Sequence, residues 1–105
     1  MYKRQLDEMT EMVGRDRMRG LLAMLARELA QRFGADAADH GRERLMLDAH
    51  AMVSAASMVG FVTLADTCRA VEAACRAADD VAPLLGPLQA QATATIAEIE
   101  VLRAV

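Results

Sequence analysis

Four side chains in this 105-residue chain could carry chemistry on their own: the imidazoles of His40 and His50 and the thiols of Cys68 and Cys75. A neutral imidazole, with an unperturbed pKa of about 6.5, presents a lone pair near neutral pH without a dedicated base. The two thiols lie seven residues apart in what reads as one helix, two turns and about 10 Å of rise from each other, too far for a disulfide. Nothing near them in sequence would lower a thiol pKa, so they read as small buried apolar groups. Two histidines and two cysteines form no recognisable metal-ligand set. His40, between Asp39 and Gly41, reads as a solvated loop residue. His50 is left as the candidate nucleophile.

His50 lies in a run where Leu45, Ala49, Met52, Ala56 and Val59 recur at alternating spacings of four and three, the stripe of a helix facing a core. At about 100° per residue His50 points away from that stripe, together with Glu43, Met46, Ser54 and Ser57. Its surroundings are unusually apolar for a wetted face: Met46, Leu47, Ala51, Val53, Ala55 and Met58 stand where Lys, Glu or Gln would be ordinary. Such a patch reads as a docking surface. Small residues at 51, 54 and 55 would let a partner's backbone approach, and methionines adapt to several partners. The alternative at this level is a helix buried nearly all round, with His50 a hydrogen-bonded core histidine.

The glycines at 14, 34, 41, 60 and 86 and the prolines at 83 and 87 divide the chain into elements that would position this helix. The pattern predicts a short helix from about Lys3 to Val13, a second from near Asp16 to about Phe33, and a third from Arg42 to Val59. A fourth follows from Phe61 or Thr63 to Ala78, and a last from the Pro87 region to Arg103. Residues 34–41 form a polar, Ala-rich connection. Asp79 and Asp80 offer turn and capping oxygens, and Pro87 suits a first helical turn. No alternating strand pattern occurs. Short connections between amphipathic helices predict an all-α, up-and-down antiparallel four-helix bundle with a short additional N-terminal helix, one domain over residues 1–105.

Composition narrows the function classes. Hydrophobic residues make up 54% of the chain but aromatics only 3%, so the core must be filled by Ala, Leu, Val and Met. A net charge of -3 and a pI near 5.3 leave no basic field for a phosphate backbone, and nucleic acid is not an expected partner. No apolar run reaches the roughly 18–20 residues that cross a bilayer, and the start is charged, so a cytoplasmic protein away from membranes is expected. One lysine against eleven arginines, with abundant alanine, reads as a high-GC bacterial coding bias. The arginines at 15, 17, 19, 27 and 32 read as decoration of the second helix's outer face.

The segment from Ala49-His50 through Ser57, Met58 and Val59 to Gly60-Phe61, followed by Leu64, Cys68 and Val71-Glu72, resembles the signature of histidine-phosphotransfer domains. That family opens its motif with Ala-His, ends the helix with a glycine ten residues on, and carries Leu, a small residue and a Leu-Glu-like pair on the next helix. Gly14-Arg15-Asp16 and the Leu-rich helix after it are also similar. The resemblance implies that His50 is a phosphoacceptor and that Ala49, Gly60, Leu64 and Cys68 are structural positions of the motif. It also implies that Met46, Leu47, Val53, Ser54, Ser57 and Met58 meet the partner. The implied reaction takes a phosphoryl group from one aspartate to another through a ring nitrogen, Nε2 being expected, in a two-component phosphorelay.

Implied partners are response-regulator receiver domains and a hybrid histidine kinase, with Mg²⁺ on the receiver and no cofactor or metal on this chain. The chain would be a monomeric phosphoryl carrier and not an enzyme in its own right. Two positions depart from the family pattern: Val53 and Ser54 stand where it usually has Lys and Gly. Without the lysine's charge, either transfer is slower or the cation comes from the partner or from an arginine elsewhere in the fold. A contrasting reading is an adaptor or decoy that binds a receiver or kinase through the same surface without being phosphorylated. A third, a subunit of a larger assembly held by a Met-rich interface, has no motif behind it.

Overall fold

A computed structural model describes residues 2–34 and 39–104, and among them five helices and no strand. They are α1 (Tyr2–Val13), α2 (Arg15–Arg32), α3 (Arg42–Met58), α4 (Val62–Arg76) and α5 (Ala82–Ala104). Residues 35–38 of the expected connection lie outside the described residues.

Two of these helices end in the same way. At the end of α3 the Phe61 amide donates to the Ala56 carbonyl at 2.9 Å and the Gly60 amide to Ser57 at 3.1 Å. At the end of α4 the Asp79 amide donates to Ala74 at 2.9 Å and the Ala78 amide to Cys75 at 3.3 Å. Both are Schellman closures, which place one residue in the left-handed region and reclaim orphan carbonyls. Gly60 takes that position at φ +85 without strain, whereas Ala78 takes it at φ +59 against its Cβ. Ala78→Gly is therefore expected to leave stability unchanged or raise it by up to about 1 kcal/mol, and Gly60→Ala to lower it by about 1 kcal/mol or more. Urea denaturation of the two variants at equal m-value checks both signs.

The last helix begins earlier than the proline pattern predicts, at Ala82 and not near Pro87, so Gly86 and Pro87 lie inside it. Asp80 is the reason on the N-terminal side: its Oδ1 accepts the Ala82 amide at 3.0 Å. Pro83 sits in the first turn, where a missing N–H leaves nothing unpaired. Pro87 gives up one internal hydrogen bond, and burial of Leu88, Ala92 and Ile99 on the same helix holds it in place.

The core joins buried side chains from all five helices, with Leu6 from α1 and Leu22, Leu25 and Leu29 from α2. Leu45, Ala49, Met52 and Ala56 bury the predicted stripe of α3, Leu64, Cys68 and Val71 a stripe of α4, and Leu88, Ala92 and Ile99 one of α5. α3 packs on α4, α4 on α5, α5 on α2 and α2 on α3, while α1 leans on α2. α3 and α4 run in opposite senses. Arg42 at the start of α3 donates to the Asp79 carbonyl beyond the end of α4 at 2.7 Å, while Ser57 near the end of α3 accepts from Arg69, back at the middle of α4, at 3.3 Å.

One charged residue enters the apolar stripe of α3. Asp48 is buried, and Arg32 of α2 donates to its Oδ1 while Arg44 Nε lies 3.7 Å from Oδ2. Arg32, expected as outer-face decoration, is half-buried and ties α2 to α3. A buried carboxylate needs such a partner, because an unpaired one would be strongly disfavoured. His40 also differs from expectation: it is half-buried and not fully solvated.

Candidate functional site

His50 stands eight residues into α3 on the side opposite Leu45, Met52 and Ala56, with its side chain 65% exposed. The core-histidine alternative is thereby removed. Glu43, Leu47, Ser54 and Met58 are exposed with it. Met46 and Ser57, expected on the same open face, are half-buried, as is Val53; they form the edge of α3 from which Ser57 and His50 reach α4. On the opposite edge, Ala55 and Met58 border an apolar cleft shared with Leu21, Met24 and Leu25 of α2. Of the predicted motif positions, Ala49, Leu64 and Cys68 are buried between helices and Gly60 makes the turn after α3. Burial pushes the Cys68 thiol up to about 12, so it stays protonated and inert.

The ring of His50 is held from one side. Its Nδ1 lies 2.7 Å from Oε2 of Glu72 on α4, and the same oxygen accepts from Nη2 of Arg76 at 2.8 Å. An ionised carboxylate only accepts, so Nδ1 carries the hydrogen of this bond. The neutral ring then has its lone pair on Nε2, which has no hydrogen-bond partner among the described residues. Residues 50 and 72 are far apart in sequence, and only the antiparallel register of α3 and α4 brings them together. Glu72 is also placed for its charge: its side chain is 16% exposed, against 66% for Arg76.

Partial burial pushes the Glu72 carboxyl up, but the hydrogen bonds and positive charges of His50 and Arg76 outweigh it and hold the group below its ordinary value of 4.5. A carboxyl with a depressed folded pKa contributes stability above its unfolded pKa and loses it as the pH falls through the folded value. Glu72 is therefore expected to titrate below the exposed glutamates of the chain in carboxyl-detected NMR, with Arg76→Ala moving it back up. An unchanged Glu72 titration in that variant would mean that the Arg76 bond carries no charge effect.

Further along the α3–α4 seam, Arg69 donates to Ser57 Oγ at 3.3 Å and to Asp66 at 2.8 Å. An outward imidazole, fixed in one tautomer by a carboxylate and flanked by small and apolar side chains, suits a nucleophile that works against another protein's surface. The family model described as Hpt domain matches residues 7–104. This chain belongs to the Hpt domain family. Hpt domains carry out histidine phosphotransfer in two-component signalling, are phosphocarrier modules, and meet receiver domains and histidine kinases. No curated protein and no solved structure matches this Hpt domain significantly. No helix among its described residues is long and apolar enough to cross a membrane.

The sequence pattern puts His50 on the outside of its helix, but it marks Glu72 only as half of the Val71-Glu72 pair of the motif and does not bring it to the imidazole. It missed Arg76 altogether, although the four-residue spacing from Glu72 is a recognisable helical ion-pair signal. It also missed the Asp48–Arg32 pair, whose signal was a carboxylate at a core position of an otherwise apolar stripe.

Proposed function

We propose that this Hpt domain relays a phosphoryl group between the aspartates of two receiver domains, using Nε2 of His50. The observation that carries this reading is the ring itself: exposed on a rigid helix, with Nδ1 occupied by Glu72 and Nε2 open. In the forward step the Nε2 lone pair attacks phosphorus of an aspartyl phosphate, a P–N bond forms, the P–O bond breaks, and the aspartate leaves as carboxylate. The second step is the reverse on another aspartate. Mg²⁺ and most of the stabilisation of the equatorial oxygens belong to the receiver. Glu72 contributes by fixing the tautomer and by offsetting the positive charge that builds on the ring as Nε2 is phosphorylated.

The docking surface on this reading is the open face of Leu47, Ser54 and Met58 with the half-buried edge of Met46, Val53 and Ser57. A cytoplasmic, monomeric, single-domain carrier over residues 1–105, folded as an up-and-down antiparallel four-helix bundle with α1 appended, fits this role. Helix α3 presents the imidazole, and short side chains at 51, 54 and 55 leave room for a receiver's backbone.

Val53 and Ser54 favour one competing reading, an adaptor that binds a receiver and never takes the phosphoryl group. A two-receiver relay separates them. A donor receiver carrying labelled aspartyl phosphate is mixed with an unlabelled acceptor receiver, with and without this protein. Label reaching the acceptor only when the protein is present supports the carrier; saturable receiver binding with no label on protein or acceptor would establish the adaptor.

A further inference from the structure

We infer that Arg76 is the cation this site provides for the phosphoryl group, leaving Glu72 for the phosphoryl oxygens once Nε2 is phosphorylated; the inference rests on the carrier reading above. Phosphorylation at Nε2 brings close to two negative charges to a ring whose other nitrogen already touches the Glu72 carboxylate. Like charges at this spacing need an offset. Position 53, one turn beyond His50 on the same side of α3, would be a natural place for a cation, but it holds Val53, half-buried and packed against the core.

Two arginines of α4 border the seam. Arg69 is engaged by Asp66 and Ser57. Arg76 is bonded to the very oxygen that accepts from His50 Nδ1, so guanidinium and imidazole are neighbours across a single atom. The Arg76 side chain is 66% exposed and so has room to turn towards solvent, and Glu72, only 16% exposed, keeps a hydrogen-bond partner in His50 Nδ1 when the guanidinium leaves it. A guanidinium can meet a phosphoryl group with two parallel N–H bonds, a stronger contact than the one it gives up. Glu72 keeps its bond to Nδ1 throughout, so the ring stays oriented while the cation changes partner.

The test uses phosphoramidate, which phosphorylates histidine without a partner protein: its P–N bond breaks, ammonia leaves, and the P–N bond to Nε2 forms. Wild type, Arg76→Ala, Arg69→Ala and the double variant Val53→Lys/Arg76→Ala are phosphorylated, and loss of the phosphohistidine signal is followed by ³¹P NMR at neutral pH. The expected result is a lifetime shortened about tenfold by Arg76→Ala, changed less than about twofold by Arg69→Ala, and restored by the added lysine at position 53. A purely structural role would not be rescued from another helix. Equal decay in wild type and Arg76→Ala, or a loss that follows Arg69, would overturn the assignment and leave the carrier reading standing. A wild-type protein that takes no label at His50 would overturn both.

Discussion

Replacing His50 by glutamine is expected to abolish phosphoryl acceptance completely while leaving the fold as it is. Glutamine keeps a polar group of similar reach but has no nucleophilic nitrogen, because the amide lone pair is delocalised. The ring it replaces is 65% exposed, so little packing is lost. Surface changes of this kind usually move stability by no more than about 0.5 kcal/mol, a few degrees in Tm for a domain of this size. Acid-labile, base-stable label should appear on the wild type and fall to background in the variant at equal Tm. Label persisting in the variant would place the phosphoacceptor elsewhere and leave the Glu72-held imidazole without a role.

The opposite separation of effects is expected for Leu29→Ala. Leu29 is wholly buried in α2, the helix that packs against both α3 and α5. Truncating it removes three heavy atoms from a close-packed core that has few large side chains able to move in. The expected cost is about 2–5 kcal/mol, or a fall in Tm on the order of 10–25 °C. His50 and Glu72 lie on the α3–α4 seam, so phosphorylation per folded molecule should be unchanged at low temperature. Denaturant unfolding and labelling on the same preparation check both halves; a loss below about 1 kcal/mol would mean that the core closes over the gap.

The helices were largely legible because apolar spacing and glycine punctuation are local signals. Gly14, Gly41 and Gly60 bound helices where expected, two of them with the positive φ that only glycine accepts freely. The start of α5 was not legible, because Gly86 and two prolines read as a break. What decides it is a carboxylate two residues before the first helical residue and the burial of Leu88, and proline spacing alone reports neither. The exposure of His50 followed from the stripe of α3. The exposures of Met46 and Ser57 did not, since a helix in a bundle has two edges as well as two faces, and the edge towards α4 is covered. Glu72 and Arg76 needed the register between two helices, which no single-helix periodicity contains.

The most direct test of phosphoryl transfer through this imidazole is NMR of the protein, ¹⁵N-labelled at histidine, after a single turnover with a phosphorylated receiver domain. The expected result is phosphorus coupled to Nε2 of His50, with Nδ1 still protonated and hydrogen-bonded to Glu72, and the signal absent in His50→Gln. Receiver binding that perturbs Leu47, Ser54 and Met58 without any nitrogen–phosphorus coupling, across a panel of competent receivers, would contradict it and make this Hpt domain a binding module.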